Sequence, residues 1–187
     1  MLRFADFCLA VLGLLLCWPL LLVILFGGVL DTGSPLFFQA RVGRHLRIFT
    51  LVKFRTMSPG TASVATHLAD GGAITRFGRF LRHTKLDELP QLWNVLTGDM
   101  SLVGPRPCLP NQTELIQKRR ELRVFDARPG ITGLAQIHAI DMSTPDLLAA
   151  TDAQMLGNLT LMSYMKYLFM TILGKGTGDR IKTKNGT

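Results

Sequence analysis

The chain has 187 residues, with 21 Lys and Arg against 13 Asp and Glu, and a formal net charge of +8. Hydrophobic residues make up 48% and charged residues 18%, and mean hydropathy is +0.27. That length fits one globular domain; the composition excludes a disordered chain, and three cysteines (Cys8, Cys17 and Cys108) exclude a disulfide scaffold and favour a reducing compartment. A strong positive charge on so apolar a chain argues against a plain nucleic-acid binder and for a membrane-associated protein that handles anions.

The charge is segregated. Residues 7–30 carry none, whereas 41–55 and 76–85 carry five and four cations respectively with no acid. Phe7 to Leu30 is an uncharged run of 24 residues, which as a straight helix would reach about 36 Å against a bilayer core of about 30 Å. Pro19 follows Trp18 near its middle and would break or kink the helix. Hydropathy alone favours a spanning helix, with a helix–break–helix that returns to the same face as the alternative. The cations of 41–55 place the rest of the chain on the cytoplasmic side in both cases.

Leu36–Arg41 and Arg47–Arg55 read as two strands around a turn at Gly43-Arg44-His45. Ser58 to Gly72 is small, polar and glycine-rich, and is expected to be a long mobile loop. Ile74–His83 is an amphipathic helix with a basic stripe of Arg76, Arg79 and Arg82. Thr84 or Asp87 is expected to cap a further helix whose apolar face is Leu89, Leu92, Trp93 and Leu96, with Gly98 ending it. Gly104-Pro105-Arg106-Pro107 is a stiff extended loop. Asn111–Arg123 is a charged helix, Arg128-Pro129-Gly130 a turn, and Ser143-Thr144-Pro145-Asp146 a helix start. Leu159–Leu173 is a second greasy helix, suited to the core or to the membrane interface.

Chemistry concentrates at few places. Asp87-Glu88 is the one adjacent acid pair. An ionised carboxylate can attack phosphorus, and its neighbour could help hold Mg²⁺, which takes one or two carboxylates plus substrate phosphates; the bland alternative is a helix cap and a first-turn acid. Lys53 and Arg55 share one side of a strand and could grip a diphosphate. Arg106 is presented between Pro105 and Pro107, and arginine suits bidentate phosphate recognition. Arg82 is the stripe cation nearest Asp87 in sequence. His45, His67, His83 and His138 show no metal-ligand spacing.

Taken in order, Lys53-Phe54-Arg55-Thr56-Met57, Leu86 to Leu96 (LDELPQLWNVL), Gly98 to Pro107 (GDMSLVGPRP) and Arg128 to Gly133 (RPGITG) resemble the bacterial sugar transferases, the small monotopic phosphoglycosyl transferases. The resemblance runs from about Phe4 to Gly133. It implies that Asp87 is a nucleophile attacking the β-phosphate of a UDP-sugar, releasing UMP and holding a covalent phosphosugar that polyprenyl (undecaprenyl) phosphate then accepts. It implies Glu88 as the dyad partner, Mg²⁺ as cofactor held at Asp87 and Glu88, and Lys53, Arg55, Arg82, Pro105, Arg106 and Pro107 around the substrate. It also reverses the topology reading: residues 1–32 become a re-entrant membrane helix-hairpin broken at Trp18-Pro19. Residues 33–187 then form a cytoplasmic catalytic domain with membrane-interface helices, on the inner face of a bacterial membrane.

The break is Trp-Pro here where the family often has Ser-Pro, and after Gly133 an aromatic-acidic stretch common in the family is replaced by Ile140-Asp141-Met142-Ser143-Thr144-Pro145. The expected fold is α+β, mainly helical, with a β-hairpin in a small α/β catalytic domain. The donor is expected to carry an N-acetylated sugar, with a hexose-1-phosphate donor or a non-catalytic anionic-lipid binder as alternatives. The expected partners are the UDP-sugar, the lipid phosphate and the phospholipid membrane, with no nucleic acid; the oligomeric state is left open.

Overall fold

A computed structural model describes residues 2–61 and 71–174. The fold is α+β and mainly helical, with seven α-helices and four strands among those residues. Residues 62–70 of the expected Ser58–Gly72 loop, with His67, and the tail from 175 onward lie outside the described residues.

Helix α1 (Leu2–Thr32) contains the whole uncharged run, and its helical hydrogen bonding continues past Pro19. It is the one described helix long and apolar enough to cross a membrane. Trp18, Leu15, Leu16 and Leu22 on its central turns are exposed, as is Pro19. Its two ends are not. Arg3 donates to the carbonyls of Val95 (2.6 Å) and Leu96 (3.2 Å), and Ala10 is fully buried in the main core with Val95 and Met100. At the other end Ile24 packs with Phe54 and Leu81, and Thr75 donates to Asp31 at 2.6 Å.

Strands β1 (Leu36–Val42) and β2 (Ile48–Phe54) form the expected antiparallel hairpin, in register from Leu36 opposite Phe54 to Val42 opposite Ile48. Side chains alternate across a strand, so Phe37, Gln39, Arg41, Leu51 and Lys53 share one face. This face is largely buried. On the opposite face Phe38 and Ile48 are exposed.

Helix α2 (Arg76–Thr84) is capped by Thr75, whose hydroxyl accepts from Gly78 N at 2.8 Å. It ends at Lys85, which takes the left-handed conformation at φ 58°. This residue corrects the expected cap. Thr84 instead turns its hydroxyl back to donate to Phe80 O, and Leu86–Glu88 forms a separate 3₁₀ turn that follows Lys85 without a side-chain cap. Asp87 and Glu88 therefore precede α3 (Gln91–Thr97) rather than opening it, and Pro90 stands at the start of that helix. Gly98 closes α3 at φ 93°, as its position suggested.

The remaining elements build a second layer. Strands β3 (Ser101–Val103) and β4 (Gly130–Thr132) pair in parallel. Helix α4 (Thr113–Glu121) packs on α6 (Pro145–Gly157), and α5 (Leu134–Ile137) packs on α6 and on α7 (Leu161–Ile172). Helix α7 has one side in the core and one side open: Tyr164 is fully buried, while Met162, Met165, Phe169 and Ile172 are exposed.

Candidate active site

Helix α3 is pinned to the hairpin by an amide. Asn94 accepts from Val52 N (3.0 Å) and donates to Thr50 O (2.8 Å), so its side chain acts like one further residue of a neighbouring strand. Because the 3₁₀ turn leads directly into α3, this contact also sets where Asp87 and Glu88 lie against β2. Both acids are buried, Asp87 at 2% exposure and Glu88 at 8%.

Glu88 is paired with Arg106 through a 3.0 Å contact from Nη2 to Oε1. This brings together two motifs 18 residues apart. Arg106 lines a narrow cleft, open to solvent, with Lys53, Arg41, Gln91 and Pro107. Lys53 is buried at 9% exposure, with its ammonium 5.6 Å from the centre of the Phe37 ring. Arg55 approaches the same ring, at 5.4 Å. Its guanidinium donates to Ser34 O (2.8 Å) and Leu36 O (3.3 Å), so it is held at the strand end rather than in that cleft. Arg82 donates to Thr56 Oγ1 at 2.8 Å, which joins α2 to the end of the hairpin. Pro105 is buried beside β4, its carbonyl accepting from Gly130 N. Trp18 and Pro19 lie on the exposed middle of α1 and line none of this cleft.

The acid pair fits a magnesium ion by its chemistry. Two adjacent carboxylates match an ion that keeps waters and completes its shell with substrate phosphates. Among the described residues no group of three His, Cys, Asp or Glu forms a fuller protein cage.

Sequence reasoning missed four polar side chains near this site. Gln39 and Arg41 are buried on the cleft face of β1, and Arg119 and Asp152 form a buried ion pair at 2.6 Å behind it. Burial raises the Asp152 carboxyl above its ordinary value, and Arg119 offsets only part of that rise. Burial likewise raises the neighbouring Cys108 thiol. A period-2 polar pair, Gln39 and Arg41, inside an otherwise apolar strand was the one local signal available.

Comparison with known proteins gives the family. The uncharacterized sugar transferase EpsL of Bacillus subtilis is 39% identical over 165 residues, covering 87% of this chain and 81% of that protein. A UDP-glucose:undecaprenyl-phosphate glucose-1-phosphate transferase of Xanthomonas campestris is 41% identical over 76% of this chain, and 31% of its own length. A UDP-N-acetylgalactosamine-undecaprenyl-phosphate N-acetylgalactosaminephosphotransferase of Aeromonas hydrophila is 35% identical over 91% of this chain and 42% of its own. The chain thus spans most of the first relative but less than half of the other two. The family model for bacterial sugar transferases matches residues 1–176, and the chain belongs to that family.

Proposed function

We propose that the protein transfers a sugar-1-phosphate from a UDP-sugar to polyprenyl phosphate at the cytoplasmic face of a bacterial inner membrane. The observation that carries this reading is the Glu88–Arg106 pair beside buried Asp87, on a cleft that also holds Lys53. The relatives named for undecaprenyl-phosphate transfer support the substrate class.

The Asp87 carboxylate attacks the β-phosphorus of the donor. A new P–O bond forms to Asp87, the bridging P–O bond of the diphosphate breaks, and UMP leaves with the electron pair. The phosphate oxygen of the polyprenyl phosphate then attacks the same phosphorus. The bond to Asp87 breaks, the carboxylate is restored, and the polyprenyl diphosphosugar departs. Splitting the reaction this way spares the protein from binding two bulky substrates together. Charge stabilisation is the main demand of phosphoryl transfer. Lys53 and Arg106 meet it in the cleft, with Arg82 and Arg55 at its approaches. A magnesium ion held by Asp87 and Glu88 would neutralise part of the diphosphate charge. The 3₁₀ turn keeps the two carboxylates at fixed, different orientations, so Glu88 can stay with Arg106 while Asp87 reacts.

The membrane topology belongs to this reading. Both ends of α1 contact the same body, which supports a segment that enters and leaves by one face. The donor is an N-acetylated UDP-sugar, and a panel of UDP-sugars with UMP readout tests this against hexose donors. For the mechanism, Asp87→Asn is expected to abolish UMP release, and wild-type protein given donor without lipid is expected to carry a phosphosugar mass on the peptide holding Asp87. UMP release unchanged by Asp87→Asn overturns the covalent route.

A further inference from the structure

The backbone of Pro105–Cys108, the stretch that carries Arg106, is gripped at each of its carbonyls. Pro105 and Pro107 have no N–H, so oxygen atoms are the available backbone handles there. Four successive carbonyls are each engaged. Pro105 O accepts from Gly130 N at 2.9 Å, and Cys108 O from Val42 N at 2.9 Å. Between them, Arg106 O accepts from Arg119 Nη1 at 2.8 Å, and Pro107 O from Arg41 Nη1 at 2.8 Å.

The outer two donors are backbone amides, which any sequence supplies. The inner two are buried guanidiniums. Each of these is in turn bonded to a further side chain. Asp152 Oδ2 accepts from Arg119 Nε (3.0 Å) and Nη2 (2.6 Å). Gln39 Oε1 accepts from Arg41 Nε at 3.0 Å. Arg119 is 1% exposed, and taking a guanidinium out of water is costly even when it is paired. A purely apolar core would hold α4 against α6 without that cost. The distinctive product of the arrangement is the fixed backbone at Arg106, whose side chain reaches Glu88.

We propose that Arg119, oriented by Asp152, and Arg41, oriented by Gln39, are positioning residues that hold the Pro105–Pro107 loop so that the Arg106 guanidinium meets the donor diphosphate. This rests on the proposed UDP-sugar reaction for its kinetic consequence, and on geometry alone for its effect on the loop. Arginine is required at both places because one fork must bond its anchor and the carbonyl at once. Lysine keeps the charge and has no such fork.

The test uses the full-length protein in detergent or nanodiscs. Arg119→Lys is expected to lower kcat/KM for the UDP-sugar about ten-fold, as loss of a charge-assisted hydrogen bond would, because the reacting diphosphate loses the positioned Arg106. In an Arg106→Ala background the same change is expected to add nothing, since its route runs through Arg106. Amide hydrogen exchange across 104–109 is expected to speed up in Arg119→Lys. Asp152→Asn, which keeps shape and loses charge, is the second variant if Arg119→Lys does not fold, with the same three readouts. Additive losses with Arg106→Ala, an unchanged kcat/KM, or unaltered exchange at 104–109 overturns the proposal. Absence of UMP release by wild type with every UDP-sugar sinks the proposed function instead, and the exchange measurement still decides whether the two arginines hold the loop.

Discussion

Asp6 ties three elements with one carboxylate. It sits on α1 and is buried, and it accepts from Ser101 Oγ (2.9 Å), from Leu102 N (2.8 Å) at β3, and from the Tyr164 hydroxyl on α7. Burial, then the hydrogen bond to Asp6, pushes the Tyr164 phenol above its ordinary value of 10.0. Its folded value is raised, so its contribution is fully present below pH 10 and is lost as pH rises beyond that. Tyr164→Phe is therefore expected to cost about 1–3 kcal/mol at neutral pH, the cost of leaving a buried hydrogen-bond partner unsatisfied. The deficit should narrow in urea titrations as pH rises past 10, because only the wild type has this phenol to titrate. A gap that stays constant to pH 11 would count against this account. At this scale the candidate site was only partly legible. Asp87, Glu88, Lys53 and Arg106 stand in short motifs. Arg119 and Asp152 are 33 residues apart and lie on two helices, so no local pattern announces their pairing.

At the scale of elements, length decided what could be read. The 24-residue uncharged run and the alternating β2 sequence carry enough periods to reveal α1 and the hairpin. Strands β3 and β4 have three residues each, too few for alternation to show. They are defined by tertiary contact. The cap of α3 was misread for a related reason: Lys85 adopts a left-handed backbone although it is not glycine, and tertiary packing overrides its preference. Gly130 is where the parallel pair is most constrained, since a Cβ there would lie 2.0 Å from Gly104 N. That neighbour is backbone and cannot rotate away. Gly130→Ala is expected to destabilise the protein by about 3 kcal/mol, at the upper end of ordinary overpacking. The loss should be accompanied by impaired donor binding, because Gly130 N also holds Pro105 O. Gly157, at the end of α6, has open space around its Cβ position, and Gly157→Ala should stay within about 1 kcal/mol of wild type. Thermal denaturation of the two variants side by side checks the contrast.

At the scale of the whole molecule, the question is how α1 meets the bilayer. Its 31 residues would extend about 46 Å if straight, more than the roughly 30 Å of a hydrocarbon core. A perpendicular crossing would place the two ends in different aqueous compartments. Yet Arg3, near one end, bonds to the end of α3, and Asp31, near the other, bonds to Thr75 at the start of α2. A body that bonds both ends cannot sit wholly on one side of a crossed membrane. The exposed apolar residues fit the same geometry: the middle of α1, Phe80, Trp93 and the outer face of α7 are all uncovered, as expected of a surface seated in one leaflet. A cysteine pair tests it. In protein with Cys8→Ser and Cys17→Ser, leaving only buried Cys108 of the native thiols, Phe4→Cys and Ser34→Cys are introduced singly at exposed positions. An impermeant maleimide is expected to label both in inside-out membrane vesicles and neither in right-side-out vesicles if the proposed re-entrant topology holds, since both ends would then lie on the cytoplasmic side. Labelling of the two positions from opposite sides would mean that α1 spans, and that its contacts with the body at one end do not survive in the membrane.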